Sequence, residues 1–286
     1  MIRGAFVLAL AAAFSPAPSF GQGGDLESSS EELPGYLRDR GAGIPTSMFG
    51  TYIERGEFLF YPFFEYYRDD DAEYAPIELG YGLDEDFRGR YRASEGLIFL
   101  GYGVSDRLAV EFEAAYIQAE LETSPDDPTN VPSEIEESGL GDVEGQFRYR
   151  WSMENERRPE IFNYFEYVLP LQKDKVLIGT QGWELKLGTG IIKGFGWGTM
   201  TWRFAAEYSA EESKLDLGEY AVEYLRRLSP TWRILGAMEG AQDELELITE
   251  AQMHLSRGMF LKVNNAFGLT SKATDWAPEV GLMFSR

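Results

Sequence analysis

From about residue 58 onward, apolar and polar residues alternate with a period of two, as expected for strands with one apolar and one polar face. The clearest case is Asp142 to Trp151: Val143, Phe147, Tyr149 and Trp151 share a face with Gly145, opposite Asp142, Glu144, Gln146, Arg148 and Arg150. Trp183, Leu185, Leu187 and Ile191 likewise oppose Glu184 and Lys186, and Met200, Trp202, Phe204 and Tyr208 oppose Thr201, Arg203 and Glu207. No helical spacing fits these segments. The pattern predicts twelve strands, over 58–67, 90–104, 108–121, 141–151, 160–169, 183–193, 199–208, 217–225, 232–239, 245–255, 259–269 and 276–284. Most are near the roughly 9–11 residues of a tilted membrane strand.

The connections add independent information. Those at 68–89, 122–140, 170–182, 209–216 and 240–244 are each longer than the next one along the chain, and 270–275 is the last of this set. The intervening ones are mostly tight, with Ser105-Asp106, Ser229-Pro230 and Arg257-Gly258 as turn chemistry. Long loops alternating with short turns, on an even number of strands, predict a transmembrane up-and-down antiparallel β-barrel of about 12 strands. A soluble β-sandwich would also alternate, but would bury its largest rings mid-strand. Here Trp151, Trp183, Trp202, Tyr208, Trp232, Trp276 and Phe284 lie near strand ends on the apolar face, where a membrane barrel carries its aromatic girdles. Val280, Leu282 and Phe284 close the chain on alternate positions, similar to the terminal aromatic signal read by the barrel assembly machinery, although Ser285 and Arg286 follow.

Composition settles the compartment. Arg3, the apolar run Phe6 to Phe14 and the small residues around Ser19-Phe20-Gly21 read as a secretory signal over 1–21, too short to span a membrane as a helix. Residues 22–57 form a periplasmic segment whose Gly-rich stretch Gly41 to Gly50 would serve either as a small plug in the barrel mouth or as an ordered linker; residues 58–286 form the barrel. There is no cysteine, so disulfides and thiolate sites are excluded. A net charge of −22 excludes nucleic acid as a partner. Aromatics at 14% argue against disorder as the reason for that acidity.

Parity assigns Glu65, Glu111, Glu113, Asp142, Glu144, Glu166, Glu184, Glu207, Glu219, Glu223, Glu239, Glu246, Glu250 and Glu279 to the lumen, with Arg148, Arg150, Lys186, Arg203, Arg233 and Lys262 as the basic partners. Strand order sets Arg148 and Arg150 beside Glu111, Glu113 or Glu166, and Lys262 beside Glu246 or Glu250. Eight-stranded barrels are filled by side chains and those of sixteen or more leave channels. A braced interior and a narrow ion-paired pore are both compatible with twelve. Two acidic runs, Asp69 to Glu73 with Asp84 to Asp86, and Asp126-Asp127 with Glu134 to Glu137, are expected in the long loops. Neither has EF-hand spacing, so no metal or cofactor is assigned.

The sole histidine, His254, stands two residues before Ser256 and shares the lumen face with Glu250 and Gln252. The His-x-Ser spacing is similar to that of outer-membrane phospholipase A. Serine hydrolysis needs a third group to fix the imidazole, and only Asn264 and Asn265 are at hand, so no catalytic residue is assigned.

Gly139-Leu140-Gly141-Asp142-Val143, running to Tyr149-Arg150-Trp151, resembles the "GLGD…YR" strand of outer-membrane transporters of the MetA-pathway phenol-degradation type. Gly101 to Leu108 resembles the strand–turn–strand before it, and Leu169-Pro170 with Gly188-Thr189-Gly190 the loop and strand after it. The resemblance covers roughly residues 90–284. It implies a barrel and the uptake of small, often aromatic compounds, with no catalytic residues. The expectation is therefore an outer-membrane channel or transporter for small solutes, not an enzyme, partnered by the lipid bilayer and lipopolysaccharide. The alternatives are a closed structural or adhesion barrel working through its acidic loops and, more distantly, a lipid hydrolase.

Overall fold

The computed structural model describes residues 33–211 and 213–286, so the expected signal over 1–21 lies outside the described residues. Within 33–57 a single 3₁₀ turn, Gly35–Leu37, is followed by a two-stranded hairpin of β1 (Ile44–Pro45) and β2 (Tyr52–Ile53). Twelve strands follow: β3 (Phe58–Tyr74), β4 (Phe87–Gly103), β5 (Leu108–Glu122), β6 (Glu134–Ser152), β7 (Glu160–Leu169), β8 (Glu184–Phe195), β9 (Gly198–Ser209), β10 (Lys214–Arg227), β11 (Trp232–Ala241), β12 (Glu244–Ser256), β13 (Met259–Gly268) and β14 (Trp276–Ser285). Each pairs antiparallel with its successor and β14 pairs with β3, closing the barrel.

The burial pattern is inverted relative to a soluble protein. Leu187 is 62% exposed and Phe204 55%, whereas Arg148 is 1% exposed and Arg203 4%. Since successive side chains point to opposite faces of a strand, the apolar set faces outward and the charged set inward. Exposed rings gather at both rims: Trp151, Trp197, Trp232 and Phe284 at the end of the tight turns, Trp183, Tyr208 and Trp276 at the other. Trp202 is only half-buried within β9.

Two sequence expectations need correction. The first strands are longer than a bilayer requires, so Asp69, Asp70, Asp71 and Glu73 stand on β3 and Glu134, Glu136 and Glu137 on β6, not in loops. Polar residues continue these ladders because cross-strand pairs such as Arg88–Glu73 and Arg90–Glu122, with the Arg68–Asp70 pair along β3 itself, lie above the apolar belt, where the alternation rule has no lipid to report. The long-loop rule also fails late in the chain, where the connections 210–213 and 242–243 are as tight as the turns that follow them.

Candidate functional site

The lumen divides into two halves. At the turn end, residues 38–53 run inside the barrel. Arg40 is fully buried and bonds Glu154 (3.1 Å) and Glu160 (2.9 Å), with its guanidinium over the Tyr52 ring. Burial works against that charge, but Glu160, Tyr52 and Glu154 outweigh it and hold the guanidinium above its ordinary pKa. Arg150 donates to the carbonyls of Ala42 and Gly43, both at 2.9 Å, and contacts Glu160 at 3.3 Å. Asp39 accepts the Arg227 amide at 3.0 Å. Buried charges persist only when paired and hydrogen-bonded, and these are.

At the tip of this segment the Ser47 amide and hydroxyl donate to Glu111 at 2.9 and 2.5 Å, and Arg148 Nε lies 3.3 Å from the same carboxylate. Arg148 packs its guanidinium over Tyr164 (5.0 Å) and Phe162 (5.6 Å). Those two rings lie over Gly190 and Gly188, where a Cβ would fall 2.2 and 2.1 Å from ring carbons, so the Gly-Thr-Gly stretch of β8 makes the seat for them. Phe49 sits beneath Arg203, and its carbonyl accepts from Lys262 (3.1 Å) and Gln252 (3.3 Å). Gly50 beside it has φ +60°, the left-handed region that turns the tip back. Lys262 pairs with Glu250 at 3.3 Å, Lys186 with Glu166 at 2.8 Å, and Arg203 with Glu219, Glu223 and Glu239.

The loop half is different in kind. A cavity of about 440 Å³ is lined by Glu65, Glu95, Glu113, Asp142, Glu144 and Glu184 with Tyr67, and among the described residues no lysine or arginine lines it. Glu113 and Glu144 also line a space of about 220 Å³ that reaches down to Ser47, Met48 and Phe49. Residues Val176–Thr180, from the connection between β7 and β8, form part of the chamber wall. Asp142 holds that connection by accepting from the amides of Leu171 (2.7 Å) and Thr180 (2.5 Å) and from the Thr180 hydroxyl (2.7 Å). Glu137 accepts from the amides of Val176 and Leu177, and Ile178 is buried against Ala93 and Ala119.

Of the residues expected in the lumen, Glu111, Arg148, Arg150, Glu166, Arg203 and Glu250 meet in the braced half, while Glu113, Glu144 and Glu184 face the chamber. Asp142 also lines the chamber, and its oxygens are taken by the inward-folded connection, so it serves as a latch. His254 lies on the inner side, its ring edge-on to Phe260, with a bulge separating it from Ser256. Asn264 donates to Glu279, and Asn265 accepts from Trp276, so neither asparagine orients the imidazole. The hydrolase constellation is therefore not assembled.

Sequence reading missed Glu95, Arg40, Glu154 and Glu160. Glu95 shares its face with Leu97 and Phe99, which pack on the inner hairpin, so both faces of β4 look apolar and parity is silent. Arg40 sits in a segment with no period. Glu154 lies in a turn and Glu160 opens β7, where alternation has only begun.

No protein-family model and no curated sequence matches the chain. Among solved structures, an outer-membrane channel from Pseudomonas putida F1 is similar over 82% of this chain and 97% of its own, with 14% identity and a TM-score of 0.59. The fold is that of an outer-membrane β-barrel. Looser likenesses, which carry no weight beyond that, are the translocator domain of the autotransporter NalP from Neisseria meningitidis and the toluene transporter TodX from P. putida. Both are 8% identical, with TM-scores of 0.47 and 0.42; they cover 80% and 90% of this chain and 88% and 99% of their own.

Proposed function

We propose that the protein is a gated outer-membrane channel for small solutes, with preference for cations, in which residues 38–53 act as a plug on the periplasmic side. The carrying observation is the acid-lined chamber suspended between that segment and the inward-folded 170–183 connection, inside a barrel whose outer face suits lipid. Fixed negative charge in a low-dielectric lumen concentrates cations and repels anions. A chamber lined by carboxylates and a tyrosine suits a small organic cation better than a neutral hydrocarbon. The bracing of the lower half favours a closed resting state, as the structural-barrel alternative also would. The two readings separate by whether the segment can leave.

Planar-bilayer recordings in a KCl gradient test this reading. The native protein should show infrequent, cation-selective openings, and loosening the segment should make them frequent. Anion-selective openings, or a barrel silent even with the segment loosened, would overturn it.

A further inference from the structure

The twelve barrel strands contain two prolines, Pro62 on β3 and Pro278 on β14, the two strands whose pairing closes the barrel. Their positions within that pairing are what matters. Phe58 and Arg286 exchange both backbone hydrogen bonds, at 2.9 and 3.0 Å. In an antiparallel ladder such pairs recur at every second residue, and the pairs between them make none. Counting along the register from Phe58 and Arg286, the bonding pairs are Phe60 with Phe284, Pro62 with Leu282, Phe64 with Val280, Tyr66 with Pro278, and Arg68 with Trp276. Both prolines fall on bonding positions of this one seam. Each therefore removes an N–H aimed at the other strand, and each leaves its opposite ladder, β3–β4 or β13–β14, undisturbed. The register breaks where this predicts, with no pairing at 61–62 against 282–283 or at 66–67 against 277–278. By contrast, β8 and β9 pair without interruption from Glu184–Ser209 to Phe195–Gly198.

We infer that the β3–β14 seam is built as the weakest line of the barrel wall, the last to close and the first to part. Until closure β3 and β14 are free sheet edges, and proline on a free edge blocks pairing with a foreign strand. After closure the same two residues leave the seam short of hydrogen bonds in a medium with no water to replace them. The upper interruption lies beside Glu65 and Tyr67, so the wall parts next to the acidic chamber. This inference rests on backbone pairing and is independent of what the chamber carries.

Amide exchange of the full chain in lipid nanodiscs tests it. The amides of Tyr66 and Leu282 have only the proline carbonyls opposite to donate to, in pairs that lack the return bond, and should exchange at least about tenfold faster than central amides of β8 and β9, as expected where opening of the seam is easier by about one ladder hydrogen bond. Pro62→Val with Pro278→Thr restores the donors and should slow both amides by a similar factor. Because that variant changes folding as well, a second one is used: Tyr67→Cys with Ala277→Cys, a non-bonded pair in a chain free of native cysteine, should slow them once oxidised. Equal exchange at the two seams in the native protein, or fast exchange that survives both variants, would refute the inference.

Discussion

The two halves of the lumen use the same residue types to opposite ends. In the turn half nearly every buried charge has a partner on another element: Arg40 with Glu154 and Glu160, more than a hundred residues away, Lys262 with Glu250, and Arg203 with three glutamates. In the loop half the acids that line the chamber, which is large enough for a small molecule, have no base beside them on its wall among the described residues, and Lys186 and Arg203 line only the smaller space that Glu113 and Glu144 share below. A paired interior stabilises one arrangement of chain. An unpaired one leaves a field directed at whatever enters. The first resembles a lock and the second a binding surface, and the lesson is that counting acids against bases over the whole lumen averages away the distinction.

The largest effect is expected at the lock. Removing one member of a buried ion cluster leaves its partners charged and unpaired, which typically costs about 3–5 kcal/mol. Arg40→Ala should therefore release residues 38–53 while the barrel stays folded. Limited proteolysis should cut near Gly41, and channel open probability should rise several-fold. A segment that stays protease-resistant with unchanged gating would show that the Arg150 clamp on Ala42 and Gly43 suffices alone, and the lock would have to be relocated there.

A middle-sized effect is expected at the latch between the halves and the outside. Asp142→Asn keeps the shape but weakens the carboxylate that accepts three donors from Leu171 and Thr180. Loss of charge-assisted bonds of this kind costs about 1–3 kcal/mol. The 170–183 connection should then admit a maleimide at Ile178→Cys that is shielded in the native protein. Labelling that is equally fast in both would mean that Ile178 packing, not Asp142, holds the connection.

How far these halves were legible from sequence follows from the physics of each. Strand number and face were readable because lipid outside and charge inside impose a period of two along most of the barrel strands. Strands grew beyond their expected ends where the wall leaves the lipid and that constraint lapses, as at Asp69 to Glu73. Arg150, Arg203 and Lys262 could be placed inside by parity, but their service to the inner segment could not, since nothing local in Gly41 to Gly50 names its partners. Glu95 was hidden because the inner hairpin makes the lumen face of β4 apolar. Asp142 could be placed on the lumen face, but its hold on the Leu171 and Thr180 amides could not be read, because parity reports direction and not occupancy.

The smallest effect on stability, and the sharpest test of the comparison, belongs to the chamber. Glu65, Glu95, Glu113 and Glu144 crowd like charges in a confined space, so replacing them together with glutamine should leave unfolding temperature unchanged or raise it slightly. Their contribution is to the field: salt screens fixed charge over about 10 Å at 0.1 M, so selectivity from the chamber should be strongest in dilute salt. With Arg40→Ala as the open background, the quadruple variant should lose cation preference in the KCl reversal potential while keeping its conductance in concentrated salt. Glu111 is left untouched on purpose, because it holds Ser47 and Arg148 and its loss would disturb the lock instead. If the four substitutions instead lower the unfolding temperature of the barrel, the chamber is a second braced core and the division between the halves fails. If selectivity survives them, the field that sorts ions comes from the paired half, and the acids above it are spectators.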